Sequence, residues 1–197
     1  MKLNTILLFG APGSGKGTQG KILGTIPNLF HCACGDVFRN LRLDSELGRV
    51  FIEYSSKGQL VPDEHTLKLW RQQIEASTGM GRFNPERDLL VLDGIPRNRR
   101  QAEILQDTLD VKALLNLTCD DKSKLIERLQ RRALRENRLD DANLEVIKSR
   151  LQTYENETKQ VVDFYGPALV HTVDSTQSPI NVLQDILKIV SKILPQF

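Results

Sequence analysis

Ile6-Leu7-Leu8-Phe9-Gly10-Ala11-Pro12-Gly13-Ser14-Gly15-Lys16-Gly17-Thr18-Gln19 decides the fold. An apolar strand runs into a glycine-rich turn, and a lysine opens the helix that follows. Glycines let successive backbone N–H groups curl towards one anion. The helix starting near Gly15 adds its positive end, and Lys16 adds a full charge for the outer phosphates. The spacing predicts a phosphate-binding loop over Gly13, Ser14, Gly15, Lys16, Gly17 and Thr18. The plain alternative is an ordinary glycine-rich turn, and the strand–helix context argues against it. The general pattern places Ser or Thr directly after the lysine as a magnesium ligand. Here Gly17 stands there, and Thr18 comes one later. Magnesium must then rely on phosphate oxygens, water and a carboxylate from elsewhere. Leu89-Leu90-Val91-Leu92-Asp93 offers one, a buried-strand pattern ending in an acid at the ligand-facing edge. A strand-end turn or helix-cap role is the alternative for Asp93.

The 197 residues suffice for one α/β domain with its own core. A net charge of +2 does not argue for nucleic acid or membrane partners. No apolar run is long enough for a membrane span, and no signal-peptide pattern is expected. Cys32, Cys34 and Cys119 give no paired framework, so reduced thiols and a cytoplasmic location are expected. Cys32-Ala33-Cys34 lacks a second ligand pair, so no zinc is expected.

Hydrophobic periodicity predicts strands at Lys2–Phe9, Leu29–Ala33, Leu89–Asp93, Ala113–Leu117 and Leu169–Val173. Helices are predicted over Gly15–Leu23, from Asp36 towards Leu43, over Glu46–Ser56, and after Asp63 with Leu67, Trp70 and Ile74 on one face. Further helices are expected at Asn98–Leu109 and Lys122–Arg135, then a long one ending at Tyr165. The last is Ile180–Leu194, with Ile180, Leu183, Leu187 and Val190 as its stripe. Asn137–Asn143 reads as an exposed polar loop. Alternating strands and helices imply a five-stranded parallel sheet flanked by helices, with ligands at the carboxyl ends of the strands.

Arginines gather at that predicted edge: Arg39, Arg97, Arg128 with Arg132 at i, i+4, then Arg138 and Arg150. A rigid, always charged fork suits the neutralisation of a moving phosphoryl group. Arg131 reads as a surface partner of Glu127, and Arg99, Arg100 and Arg135 as solvated charges. Asp36 reads as a helix N-cap, with a general base as the alternative. His31 and His171 read as structural, His65 as exposed, and Trp70 as core. A basic helix facing RNA lacks an aromatic stacking platform.

Several segments now stand in order: Gly10–Gln19, His31–Arg39, Gly58-Gln59-Leu60-Val61-Pro62-Asp63, Asp93–Arg97 with Gln101, Arg138-Leu139-Asp140-Asp141, then Arg150-Leu151 and Tyr154. Together they resemble the adenylate kinase family. The resemblance implies a P-loop nucleoside monophosphate kinase fold and reversible phosphoryl transfer from ATP to AMP with Mg2+. It implies an acceptor-binding segment at about 33–62 and a short, zinc-free lid at about 131–141. By resemblance, Gly13 to Thr18 cradle the ATP phosphates, Arg128 lies over the ATP base, and Gln177 meets that base through its backbone. Cys34, Gly35, Arg39, Leu60 and Val61 form the acceptor pocket. Gly94 to Arg97 hold its phosphate, and Gln101 reads its base. Arg132, Arg138 and Arg150 surround the transferred group with Lys16 and Arg97, and a monomer is expected. Three positions depart from the family pattern: Cys34 replaces a hydroxyl, Asn98 a threonine and Asn137 a glycine. Ala33 and Asn98 match uridylate–cytidylate kinase relatives, whereas Gln101 offers the donor and acceptor that adenine needs. A pyrimidine acceptor and a nucleotide sensor without turnover are the alternatives.

Overall fold

The computed structural model describes residues 2–136, 138, 141 and 143–194. Five strands, β1 (Leu3–Gly10), β2 (Leu29–Ala33), β3 (Leu89–Asp93), β4 (Leu109–Thr118) and β5 (Val170–Asp174), pair in parallel in the order β2-β3-β1-β4-β5. Side chains alternate across each strand and feed two cores. On one face Ile6, Leu8, Leu89 and Val91 pack with Leu23 of α1 (Lys16–Leu23) and with Val182, Ile186 and Val190 of α9 (Pro179–Val190). On the other face Leu7, Phe9, Leu90 and Leu92 meet Phe38 of α2 (Cys34–Arg39). They also meet Trp70 of α4 (Asp63–Gly79), Leu105 of α5 (Arg99–Leu105) and Val161 of α8 (Gln160–Tyr165). Each such side chain contributes roughly 1.5–3 kcal/mol of burial.

Chain direction places the site. After β1 the chain turns into α1 on one face, and after the adjacent β3 it turns into α5 on the other. The two connections diverge and leave a crevice at the carboxyl ends of β1 and β3. Two further pieces flank that crevice. α3 (Glu46–Ser55) begins at an N-cap where Ser45 accepts from the Gly48 N–H. α6 (Lys122–Glu136) and α7 (Leu144–Thr153) pack through Leu125, Leu129, Ile147 and Leu151, and Ala11 of the glycine-rich loop leans on this small core.

Several sequence expectations need correction. The helix after Asn98 ends at Leu105, and Leu109 already belongs to β4, which is ten residues long rather than five. Asn98 itself caps α5 through the Gln101 N–H. α2 starts at Cys34 and stops at Arg39, so Asp36 lies inside its first turn and Ala33 is the N-cap. The long helix before Tyr165 is interrupted by a π-helical turn at Tyr154–Thr158, where the Lys159 N–H reaches the Tyr154 carbonyl at 2.9 Å. In α9 the buried stripe is Val182, Ile186 and Val190, while Ile180 is 68% exposed. In the predicted exposed run Asn137–Asn143, Asn143 is exposed but Asp141 is 0% exposed. Asn137, Leu139, Asp140 and Ala142 lie outside the described residues.

Candidate active site

The crevice opens into a cavity of about 890 Å³. Its floor is the loop between β1 and α1. Gly13 and Gly15 have φ of 85° and 96°, a region that side chains disfavour. A Cβ on Gly13 would also fall 2.8 Å from the Leu125 carbonyl oxygen. Lys16 Nζ donates to the carbonyls of Gly10 at 2.6 Å and Ala11 at 3.0 Å. Desolvation pulls its pKa down to about 8. Asp93 opposes that shift, and the charges of Arg97, Arg132 and Arg150 add to it. Four cations from four separate segments thus line the same cavity as Asp93.

The wall on the β2–β3 side is built by α2 and the turn after β3. Cys34 is buried at the start of α2, and loss of solvent pushes its thiol up to about 11. Asp36 Oδ1 accepts from Arg39 Nη2 at 2.7 Å and faces Arg138 Nη2 at 3.4 Å. Burial works against its charge, but the hydrogen bond and charge of Arg39, with the charge of Arg138, hold it below the usual carboxylate range. Leu60 and Val61 continue the wall. Arg97 Nε donates to the Gly94 carbonyl at 2.8 Å, which folds its guanidinium back over the turn. Asp93 is buried at the end of β3, with Oδ2 facing the first turn of α1 beside Gly17. His31 Nε2 lies 4.0 Å from the same oxygen, wedged against Gly20 of α1.

The opposite wall comes from α6 and α7. Arg132 and Arg150 both grip Asp141, Arg132 with Nε at 2.8 Å and Nη2 at 2.6 Å, and Arg150 through Nη1. Arg128 Nη2 donates to the Ser175 carbonyl at 2.9 Å, just after β5. Gln177 follows, its amide bound to the Asp174 carbonyl and to Asp185. α7 is also tied to the segment after α3. Ser149 Oγ donates to the Lys57 carbonyl at 2.8 Å and Thr153 Oγ1 to that of Gly58 at 3.1 Å.

The family model for adenylate kinase matches residues 8–169. An adenylate kinase of Flavobacterium psychrophilum is 34% identical over 96% of this chain and 97% of its own length. Those of Parabacteroides distasonis and Thermobifida fusca are each 38% identical over 81% of this chain and 83% of their own. The chain belongs to the adenylate kinase family. In this family member the cavity is lined by Gly13 to Thr18, Cys34, Gly35, Arg39, Leu60, Val61, Asp93, Gly94, Pro96, Arg97, Gln101, Arg128, Arg132, Arg138, Arg150 and Gln177, whereas Ile95 is buried away from it.

One sequence reading changes for this adenylate kinase family member. Arg131 pairs with Glu127 on the surface and Arg135 is exposed, both as read, although both also border the cavity. Asp36 is neither an N-cap nor an available base, since two arginines hold it. The sequence reading missed Asp141, which neutralises two arginines, and Asp63, which binds the side chains of Asn98 and Gln101. The excess of arginine over acid at the predicted edge was a signal that buried carboxylates must balance some of the charge.

Proposed function

We propose that this member of the adenylate kinase family moves the terminal phosphoryl group of ATP to AMP, reversibly, giving two ADP, across the cavity between β1 and β3. The convergence of Lys16, Arg97, Arg132 and Arg150 carries this reading. A transferring phosphoryl group spreads negative charge over its oxygens, and prearranged cations stabilise it without reorganisation. An AMP phosphate is already an ionised nucleophile, so catalysis needs positioning and charge rather than a base. The arginine-bound state of Asp36 fits that requirement.

In this reading Gly13 to Thr18 hold the ATP phosphates, with Arg128 and the Gln177 backbone at the ATP base. Cys34, Gly35, Arg39, Leu60, Val61 and Gln101 hold AMP, and Arg97 its phosphate. Residues 33–62 act as the acceptor segment and 131–141 as the lid. Asp141 stands in for phosphate oxygens, keeping Arg132 and Arg150 apart until substrate replaces it. Among the described residues no cluster of three acidic, histidine or cysteine side chains could cage a metal. Asp93 alone suits Mg2+, which keeps several waters and takes one or two carboxylates plus phosphates. Bound there, Mg2+ would neutralise phosphate charge. The family resemblance supports a monomer, and three free thiols support the cytoplasm. No helix among the described residues is long and apolar enough to cross a membrane.

A coupled assay with ATP, Mg2+ and AMP, CMP, UMP or GMP tests the reading. ADP formation with AMP far above the others is expected. A preference for CMP or UMP would overturn the acceptor assignment, and tight ATP binding without turnover would overturn the enzyme.

A further inference from the structure

Gln101 is 1% exposed and lines the cavity, yet both ends of its amide are already engaged. Its Oε1 accepts from the Arg97 backbone N–H at 2.8 Å, and its Nε2 donates to Asp63 Oδ1 at 2.8 Å. The same oxygen of Asp63 accepts from Asn98 Nδ2 at 2.9 Å, and Asn98 Oδ1 accepts from the Gln101 N–H at 2.8 Å. A flipped Gln101 amide would set its NH2 against the Arg97 N–H and its carbonyl against a carboxylate. Both contacts are repulsive, so the orientation is fixed by its neighbours. Asp63 does not line the main cavity. It borders a separate hollow beside Tyr54 and Glu157, so it acts only through Gln101.

A primary amide has two donors and two acceptor sites, and one of each is used here. One N–H and one lone pair remain for the cavity. A 6-aminopurine presents a donor at its 6-position and an acceptor at N1, and a 6-oxopurine presents the reverse. With the phosphate end of the acceptor held at Arg97, the base meets the amide in one direction. The orientation of that amide then decides which purine fits. We propose that Asp63 is a positioning residue that locks Gln101 for a 6-amino base and sets the acceptor pocket against 6-oxo bases. This rests on the reading of Gln101 as the residue facing the acceptor base.

The test measures kcat and KM for AMP and for inosine monophosphate at saturating ATP, in D63S, D63A, D63N and Q101A. Loss of the side-chain carbonyl-type oxygen that accepts from Gln101 in D63S or D63A is expected to raise the KM for AMP about tenfold and cut the preference for AMP over inosine monophosphate about tenfold, with kcat within about twofold. D63N keeps an oxygen for both amides and is expected to stay near wild type. Serine suits a helix start, so D63S serves if D63A does not fold. An unchanged preference in D63S overturns the proposal, as does a loss in D63N as large as in D63S. Q101A separates the two readings. If it collapses the preference while D63S does not, only the role of Asp63 falls. If it too leaves the preference unchanged, the reading of Gln101 falls, and Asp63 with it.

Discussion

Lys16 is held by two loop carbonyls and depressed to about 8, so in the ligand-free protein it loses its proton as pH rises past that value. Phosphate binding requires the charged form. Below pH 8 ATP meets a lysine already charged, and above it binding must take up a proton. ATP affinity is therefore expected to fall as pH rises above about 8. Calorimetry in buffers of differing ionisation enthalpy at pH 8.5 should show net proton uptake, and equal heats in all buffers would contradict this. Replacing the charge, as in Lys16→Met or Arg97→Ala, is expected to lower kcat by about a hundredfold or more, with the fold intact by circular dichroism. Burial sets the thiols the same way. Loss of solvent pushes Cys32 up to about 12 and Cys34 up to about 11. Only thiolates alkylate readily. Mass spectrometry after iodoacetamide at pH 8 should find Cys119 modified in the native protein, with Cys32 and Cys34 modified only after denaturation. Fast native labelling of Cys34 would refute this.

At the scale of elements, α9 and the α6–α7 pair carry the sharpest tests. Ile186 is fully buried on the sheet, whereas Ile180 is mostly in solvent at the start of the same helix. Ile186→Ala should cost about 2–5 kcal/mol in urea unfolding. Ile180→Ser should stay within about 0.5 kcal/mol, as surface changes do. Equal costs would restore the stripe read from periodicity. Asp141 bridges α6 to α7 from a fully buried position, and its removal leaves two arginines facing each other near Lys16. Asp141→Ala is expected to destabilise the ligand-free protein by about 3 kcal/mol, the scale of a broken buried pair. A bisubstrate analogue should recover part of that loss, because its phosphates return negative charge to the same place. Recovery no greater than in wild type would count against the substitute role of Asp141.

Across the whole molecule, α2 and the segment after α6 approach each other through Asp36 and Arg138, and α7 is tied to the segment after α3 through Ser149 and Thr153 and to Asp141 through Arg150. Closure around both substrates is expected because an open site would hydrolyse ATP. Hydrogen exchange with a bisubstrate analogue should slow in α2, α3 and the α6–α7 region and change little in β1 and β3. Identical exchange with and without the analogue would refute closure.

The sequence by itself determined the parallel sheet, because buried strands and amphipathic helices each impose their own hydrophobic period. β2 and β3 have the boundaries read from that period. It also determined the glycine-rich turn between β1 and α1, whose glycines and lysine are contiguous, and the arginines, whose charge is readable from residue type. What it left undecided depends on long-range contact. The 3.6-residue period of α9 allows two adjacent stripes, and only the sheet beneath it selects Val182 and Ile186 over Ile180. Asp141 stands in a polar run and looks solvated until Arg132 and Arg150, brought in by two other helices, enclose it. The link from Asp63 to Gln101 spans 38 residues of chain. Tertiary structure decided it, because a hydrogen-bond partner is fixed by proximity in space and leaves no mark on the local pattern of either residue.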